Sequence, residues 1–247
     1  MHKSIYSWRA KLGVIVPPTN TVNEAEWARL MPDGVTFHAI RMKLHADTES
    51  AEGRAALHRD LDAAMASVAQ ARVDVIAYAC TAGSMSLPLD GLSERMRASS
   101  GIAAVTTASA IVNGLRALGV RRLVVATPYH DALNQHEAAF LSACGFEVLA
   151  IEGLGIGGGG PHEYVRLAET ALDTIREQAG RVMRPGAEAL LVSCTDYPAL
   201  TLVSELEARF GMPVVTSNTA TLWASLRAAG IGDAIAAGGR LLSTEGV

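Results

Sequence analysis

The chain has 247 residues, 49% of them hydrophobic and 19% charged, and its 21 Lys and Arg against 25 Asp and Glu give a formal net charge of −4. A hydrophobic fraction this high excludes a wholly disordered protein, and an acidic balance without a basic run counts against nucleic-acid binding. No apolar stretch reaches the roughly 18–20 residues of a membrane span, and residues 1–11 lack the apolar segment of a signal peptide. We therefore expect a cytoplasmic globular protein with neither a nucleic acid nor a membrane as partner.

Short apolar runs alternate with longer amphipathic ones along the whole chain. In the first half they predict strands at 12–16, 35–40, 74–79 and 102–105 and helices at 51–71, 89–98 and 108–118. In the second half they predict strands at 122–126, 146–151, 189–193 and 213–215 and helices at 131–144, 163–178, 199–210 and 220–229. Regular alternation of apolar strands and helices predicts an α/β fold of parallel sheets covered by helices.

Two pieces of the first half recur in the second. Residues 101–107 (GIAAVTT) recur as residues 211–217 (GMPVVTS), and residues 75–81 (VIAYACT) match residues 189–195 (ALLVSCT). The repeat predicts two pseudo-symmetric lobes, each with a Cys-Thr pair just past the C-terminal end of a strand. Because ligands of open α/β sheets bind at that edge, we expect an active site in the cleft between the lobes.

The three cysteines are too few for a disulfide framework and are expected to be reduced thiols. Cys80 and Cys194 each lead from a strand into a turn, where backbone N–H groups stabilise an anion and lower the pKa of a thiol. The alternative for each is a small apolar residue that fills a buried strand end, but equivalent positions in a repeat favour a catalytic pair. Cys144 has no such context and is interpreted as a packing residue.

Loops after the first strand of each half supply further candidates. Pro17 stiffens the first loop, and Asn20 offers a ligand both an amide donor and a carbonyl acceptor, with capping of a helix near residue 22 as the alternative. Tyr129 can donate to a carboxylate, with a half-buried, solvated phenol as its alternative. The predicted substrate-binding residues are Pro17, Asn20, Thr81, Ala82, Tyr129, Thr195 and Asp196.

The stretch 153–158 satisfies the pattern GxGxxG after a strand. A dinucleotide site also needs an acidic residue about 20 positions on, at the end of the next strand, and Asp173 falls inside a predicted helix instead. We interpret residues 157–160 as a flexible loop at the cleft mouth and His162 as the histidine that reaches the cleft. No CxxC or HExxH occurs, and neither a metal nor a cofactor is predicted.

Residues 16–21, 80–81, 113–120, 126–129 and 193–195 together resemble the aspartate/glutamate racemase superfamily. Within it the chain is most similar to the branch of maleate cis–trans isomerases and arylmalonate decarboxylases, from about residue 12 to residue 242. The resemblance implies a first lobe of residues 1–107 plus 217–247 and a second lobe of residues 108–216, with the C-terminal segment packed back on the first lobe.

Departures from the motifs separate the branches. Arylmalonate decarboxylases carry Gly where this chain has Cys80, and amino-acid racemases carry Asp-Ser-Gly after the first strand and Cys-Asn-Thr at the first cysteine. Maleate isomerases keep both cysteines, the Asn and the Tyr, and Cys80, Cys194, Asn20 and Tyr129 fit that pattern. They also resemble one another in a loop Asn that residues 157–162 lack, so the exact substrate stays open, and a related ectoine-utilisation branch stays open as well.

The resemblance implies a cofactor-independent cis–trans isomerase whose partner is a small unsaturated dicarboxylate, of the maleate-to-fumarate type. Thiolate addition to the alkene, rotation about the new single bond and elimination make up the reaction, and neutral donors hold the carboxylates. Because the charge of Asp196 disfavours a second anion at Cys194, we predict that Cys80 is the nucleophile and Cys194 the proton donor and acceptor.

Three alternatives remain at this point. A two-base amino-acid or hydantoin racemase uses both cysteines, an arylmalonate-type decarboxylase uses Cys194 alone, and a two-lobed binding protein uses neither. A homodimer or a higher homo-oligomer is compatible with the sequence, which does not determine the number of subunits.

Overall fold

A computed structural model of the chain describes residues 4–45, 47 and 50–243. The strands in these residues are β1 (Ala10–Val16), β2 (Val35–Arg41), β3 (Val75–Tyr78), β4 (Ala103–Thr106), β5 (Arg122–Ala126), β6 (Glu147–Glu152), β7 (Ala189–Val192) and β8 (Val214–Thr216). They form two four-stranded sheets with the orders β2-β1-β3-β4 and β6-β5-β7-β8. All neighbours in both sheets are parallel, which confirms the predicted fold class.

Helices cover both sheets. The α-helices are α1 (Asn23–Leu30), α2 (Ala51–Ala69), α3 (Thr81–Ser84), α4 (Gly91–Ser100), α5 (Thr107–Ala117), α6 (Asp131–Ala143), α7 (Leu172–Val182), α8 (Val203–Phe210), α9 (Ser217–Ala228) and α10 (Gly239–Ser243). Short 3₁₀ helices span Pro161–Arg166, Leu200–Leu202 and Ala236–Gly238. No helix in this part of the chain is both long and apolar enough to cross a bilayer.

The central strands explain the apolar runs of the sequence. Every residue of β3 and of β7 is buried, as expected for parallel strands with helices on both faces. Successive side chains of a strand point to opposite faces. Ala77 and Ala79 therefore join the apolar cluster between the lobes, whereas Tyr78 and Cys80 face the side of α2 and α4.

One predicted helix is wrong. Residues 163–178 do not form a continuous helix: the 3₁₀ helix Pro161–Arg166 ends before a turn, and α7 begins at Leu172 and continues to Val182. The Thr170 hydroxyl donates to the carbonyl oxygen of Leu167 at 3.1 Å, a local bond by which threonine competes with helix formation. The sequence does not predict α3 and α10, because short segments carry too few apolar repeats to show a period. It gives α1 only as the helix near residue 22 that Asn20 caps in the alternative interpretation.

Two helices link the lobes. α5 follows the first sheet and α9 follows the second, and the two pack against each other. α9 also contacts β3 and β4, and α5 contacts β8, so each helix touches the sheet of the other lobe. α10 packs on β8 and α8, which both belong to the second half of the chain, and also on α9. The division into residues 1–107 plus 217–247 and residues 108–216 stays a prediction.

Candidate active site

A cavity of about 480 Å³ lies where the loops after β1, β3, β5 and β7 meet. The sheet edge rule predicts this place, since the carboxyl ends of parallel strands share one edge of each sheet. Every predicted site residue lines the cavity, namely Cys80, Cys194, Pro17, Asn20, Thr81, Ala82, Tyr129, Thr195 and Asp196. The described lining contains neither Arg nor Lys.

Hydrogen bonds across the lobes hold the two Cys-Thr turns in place. The Ser217 hydroxyl oxygen accepts from the backbone N–H of Cys194 and from the hydroxyl of Thr81, both at 3.0 Å. The Thr195 hydroxyl donates to the carbonyl oxygen of Ala79 at 3.1 Å. Each threonine hydroxyl has one hydrogen, and both hydrogens are already donated to the protein. The predicted substrate-binding role of the two threonines therefore depends on their backbone N–H groups.

Asn20 is buried and has partners on both ends of its amide. Its Oδ1 atom accepts from the backbone N–H groups of Val22 and Asn23, at 3.1 and 3.0 Å, so it caps the start of α1. Its Nδ2 atom donates to the Thr195 hydroxyl at 3.0 Å. An amide nitrogen carries two hydrogens, so one N–H donor of Asn20 remains for a ligand.

Cys80 lies at the N-terminal end of α3, and its sulfur accepts from the backbone N–H of Gly83 at 3.4 Å. Burial raises the pKa of this thiol above its ordinary value, contrary to the lowering expected from the sequence, and the Gly83 N–H and the Tyr78 hydroxyl offset only part of the rise. The local contacts thus favour the thiolate form that the surrounding apolar packing disfavours.

Cys194 is harder to ionise. Its sulfur accepts from the backbone N–H of Asp196 at 3.3 Å, and the Tyr129 hydroxyl also lowers the pKa, but burial raises that pKa far above its ordinary value. Repulsion by Asp196 and by Cys80 raises it further. Cys194 also has a φ of 154°, a conformation that residues with a side chain rarely adopt and that concentrates at functional sites.

Asp196 connects the second lobe to the first loop. Its Oδ1 atom accepts from the backbone N–H groups of Thr21 and Val22, at 2.9 and 3.3 Å. Its Oδ2 atom is buried without a hydrogen-bond partner in the described residues. Burial raises the pKa of Asp196 to about 6, against the effect of these two N–H groups and of Arg41. The carboxylate is therefore mostly charged at neutral pH, as the predicted roles of the cysteines require.

The structure also adds lining residues that the sequence analysis missed, chiefly Tyr78, His130, His136 and Tyr164. His162 is exposed and does not line the cavity, so that prediction is wrong. The sequence carries a signal for two of these residues. Tyr78 precedes a candidate cysteine by two positions in a strand and shares its face, and His130 follows Tyr129 directly.

The glycine-rich loop is held by a carboxylate. Glu163 Oε2 accepts from the backbone N–H groups of Gly157 and Gly159, at 2.8 and 3.1 Å, and these contacts lower the pKa of Glu163. The loop is followed by the 3₁₀ helix Pro161–Arg166, and Tyr164 of this helix lines the cavity.

Comparison with known proteins adds to this geometry. Residues 12–242 match the family model described as arylmalonate decarboxylase. The chain is 32% identical to a maleate isomerase of Nocardia farcinica, over 95% of this chain and 96% of the relative. It is also 32% identical to an arylmalonate decarboxylase of Bordetella bronchiseptica, over 90% and 91% of the two chains.

A solved structure is similar over nearly the whole fold. It is a maleate cis–trans isomerase of Nocardia farcinica in which a cysteine is replaced by serine and a succinylcysteine intermediate is covalently bound. The TM-score is 0.83 at 27% sequence identity, over 95% of this chain and 98% of the other.

Proposed function

The chain belongs to the arylmalonate decarboxylase family, and we propose that within this family it is a cofactor-independent isomerase that converts maleate, or a close cis-dicarboxylate, into the trans isomer. The observation that carries the proposal is the pair of buried thiols, Cys80 and Cys194, that line one cavity. Similarity to maleate isomerases over the full chain supports it.

The reaction begins with addition. The Cys80 thiolate forms a C–S bond to one alkene carbon, and the π electron pair moves to the other carbon and into its carboxylate. The remaining C–C single bond rotates, and elimination then re-forms the double bond and returns the electron pair to sulfur. Splitting the path in this way avoids rotation about an intact double bond.

Cys194 moves the proton in this scheme. As a neutral thiol it donates a proton to the carbon that carries the negative charge, which gives a succinyl adduct, and it removes a proton again before elimination. The high pKa of Cys194 suits a group that must be protonated when the adduct forms. The succinylcysteine in the similar solved structure is an adduct of this chemical type.

The substrate carboxylates are held by neutral donors. The remaining amide N–H of Asn20, the Tyr129 hydroxyl and the backbone N–H groups after each cysteine are the proposed partners. They stabilise the charge that develops on the adjacent carboxylate during addition. Without an Arg or Lys in the described lining, these dipoles carry the recognition of the dianion.

Decarboxylation of an arylmalonate is the second candidate, because the family description and one 32% identical relative carry that activity. In that reaction Cys194 alone protonates the carbanion left by loss of CO₂. A second buried thiol at Cys80 favours isomerisation, since decarboxylation needs only one.

A proton NMR assay of maleate tests the proposal. We expect the maleate vinyl signal to be replaced by that of fumarate, and we expect the Cys144→Ser variant to behave like the parent because Cys144 does not line the cavity. Release of CO₂ from a phenylmalonate without any conversion of maleate would favour the decarboxylase instead.

Replacing Asp196 by Asn tests the roles of the thiols. The amide keeps an oxygen acceptor for the N–H groups of Thr21 and Val22 but removes the charge, so we expect the pKa of Cys194 to fall and its alkylation at pH 8 to accelerate several-fold. Peptide mass spectrometry after graded iodoacetamide treatment measures this, with Cys80 in the same sample as reference. An unchanged rate at Cys194 would contradict the proposed repulsion.

Two finer properties stay predictions. We infer a cytoplasmic location from the sequence, and a homodimer or a higher homo-oligomer is compatible with it. Light scattering on the purified protein measures the number of subunits.

A further inference from the structure

Tyr78 is the last residue of β3 and lies on the same face of that strand as Cys80. Its side chain is 4% exposed and lines the cavity. Its hydroxyl lies close to the Cys80 sulfur and lowers the pKa of that thiol. A buried phenol normally requires a partner for its O–H group, and the thiol to which we assign the nucleophilic role is the polar group that lies beside it.

Gly83 leaves room for this contact. A Cβ atom placed on Gly83 would come within 2.4 Å of the Tyr78 hydroxyl oxygen and 3.0 Å of the Cys80 sulfur. Gly83 does not have a positive φ, so the lack of a side chain serves space rather than backbone conformation. Its N–H group donates to the same sulfur at 3.4 Å, so the phenol and a backbone amide both point at Cys80.

The internal repeat does not account for the phenol. The position equivalent to Tyr78 in the second lobe is Val192, the last residue of β7. The second thiol obtains its tyrosine from another element, since Tyr129 lies in the loop after β5 and lowers the pKa of Cys194. The repeat therefore accounts for the two cysteines but not for the tyrosines beside them. Tyr78 comes from the strand before its cysteine, and Tyr129 comes from the loop after a different strand.

We propose that the Tyr78 hydroxyl is a further catalytic group, which donates a hydrogen bond to the Cys80 thiolate before the C–S bond forms and again when elimination releases it. This inference rests on the proposed function, in which Cys80 is the nucleophile. Stabilisation of the free thiolate increases the fraction of enzyme ready to add to the alkene. It also makes the thiolate a better leaving group in the second half of the reaction.

The test is the Tyr78→Phe variant, which removes one oxygen atom. A hydrogen bond to a charged group changes an equilibrium by about tenfold or more, so we expect the alkylation rate of Cys80 at pH 7.5 to fall by about that factor. The rate-against-pH curve should move to higher pH by about one unit. Cys144, which lies outside the cavity, is the internal reference. With maleate, kcat should fall while KM changes little.

A second variant keeps the test decisive if the first does not fold. Gly83→Ala retains the phenol but places a methyl group where its hydroxyl lies, so Cys80 alkylation should slow in the same direction. Thermal unfolding measured by circular dichroism identifies the folded variants. An unchanged pH curve for Cys80 in a folded variant overturns the inference. Because alkylation requires no turnover, this result stays separate from a failure of the maleate assay.

Discussion

Replacing Cys80 by serine is expected to abolish isomerisation, with a loss of at least about 10⁴-fold in kcat. A serine hydroxyl at this position is too weak a nucleophile to add to the alkene, because no base is assigned to activate it. Replacing Cys194 by serine is expected to have a different result. Addition at Cys80 still occurs, and the hydroxyl at position 194 or a water molecule protonates the carbanion to give the succinyl adduct. That hydroxyl is too weak a base to remove the proton again before elimination, so the succinyl adduct accumulates.

Intact-protein mass spectrometry after incubation with maleate distinguishes the two variants. The Cys194→Ser protein should gain the mass of one maleic acid on the peptide that contains Cys80, and the Cys80→Ser protein should gain nothing. Cys144→Ser is the matched control and should turn over maleate without retaining an adduct. An adduct on the Cys194 peptide of the Cys80→Ser protein would reverse the assigned roles.

The second large effect concerns stability. Glu137 on α6 is 1% exposed, and neither carboxylate oxygen has a hydrogen-bond partner among the described residues. Burial raises the pKa of Glu137 from 4.5 to about 7. Between these two pH values the folded protein binds a proton that the unfolded chain has lost. The contribution of Glu137 to the free energy of unfolding is therefore fully present below about pH 4.5 and is lost as the pH rises to about 7.

The Glu137→Gln variant removes this pH dependence. The pKa difference of 7 − 4.5, at about 1.4 kcal/mol for each pKa unit, corresponds to about 3 kcal/mol. We expect the variant to be more stable than the parent by up to that amount at pH 8 and to show little difference near pH 4.5. Urea unfolding at both pH values measures it, with exposed Glu169→Gln as a control that changes the unfolding free energy by less than about 0.5 kcal/mol. Parallel pH curves for the parent and Glu137→Gln would contradict the expected burial cost.

The location of the site could be predicted because it depends on chain order. Residues that follow β1, β3, β5 and β7 must meet at the carboxyl edges of parallel sheets, which brings Asn20, Cys80, Tyr129 and Cys194 to one cavity. The same rule applied to β2 would have found His45, which also lines it.

The availability of donors could not be predicted in the same way. From the sequence, the Thr81 and Thr195 hydroxyls are expected to donate to a ligand. In the structure their hydrogens are donated to the Ser217 hydroxyl and the Ala79 carbonyl oxygen. These partners are separated by 136 and 116 residues along the chain. Such contacts depend on how the two lobes pack against each other, and the spacing of residues within one segment does not predict that packing.

The sequence by itself determined the α/β class, the two-fold repeat and the matched pair of cysteines. Each of these depends on residues that are close together in the chain, either through the spacing of apolar residues or through the turn that follows a strand. Only the tertiary structure decided which hydrogens remain for a ligand, that the Tyr78 hydroxyl lies close to the Cys80 sulfur and that Glu137 is buried with no hydrogen-bond partner among the described residues. These properties depend on the packing of side chains and the exclusion of water, and both arise when the sheets and helices of the two lobes come together.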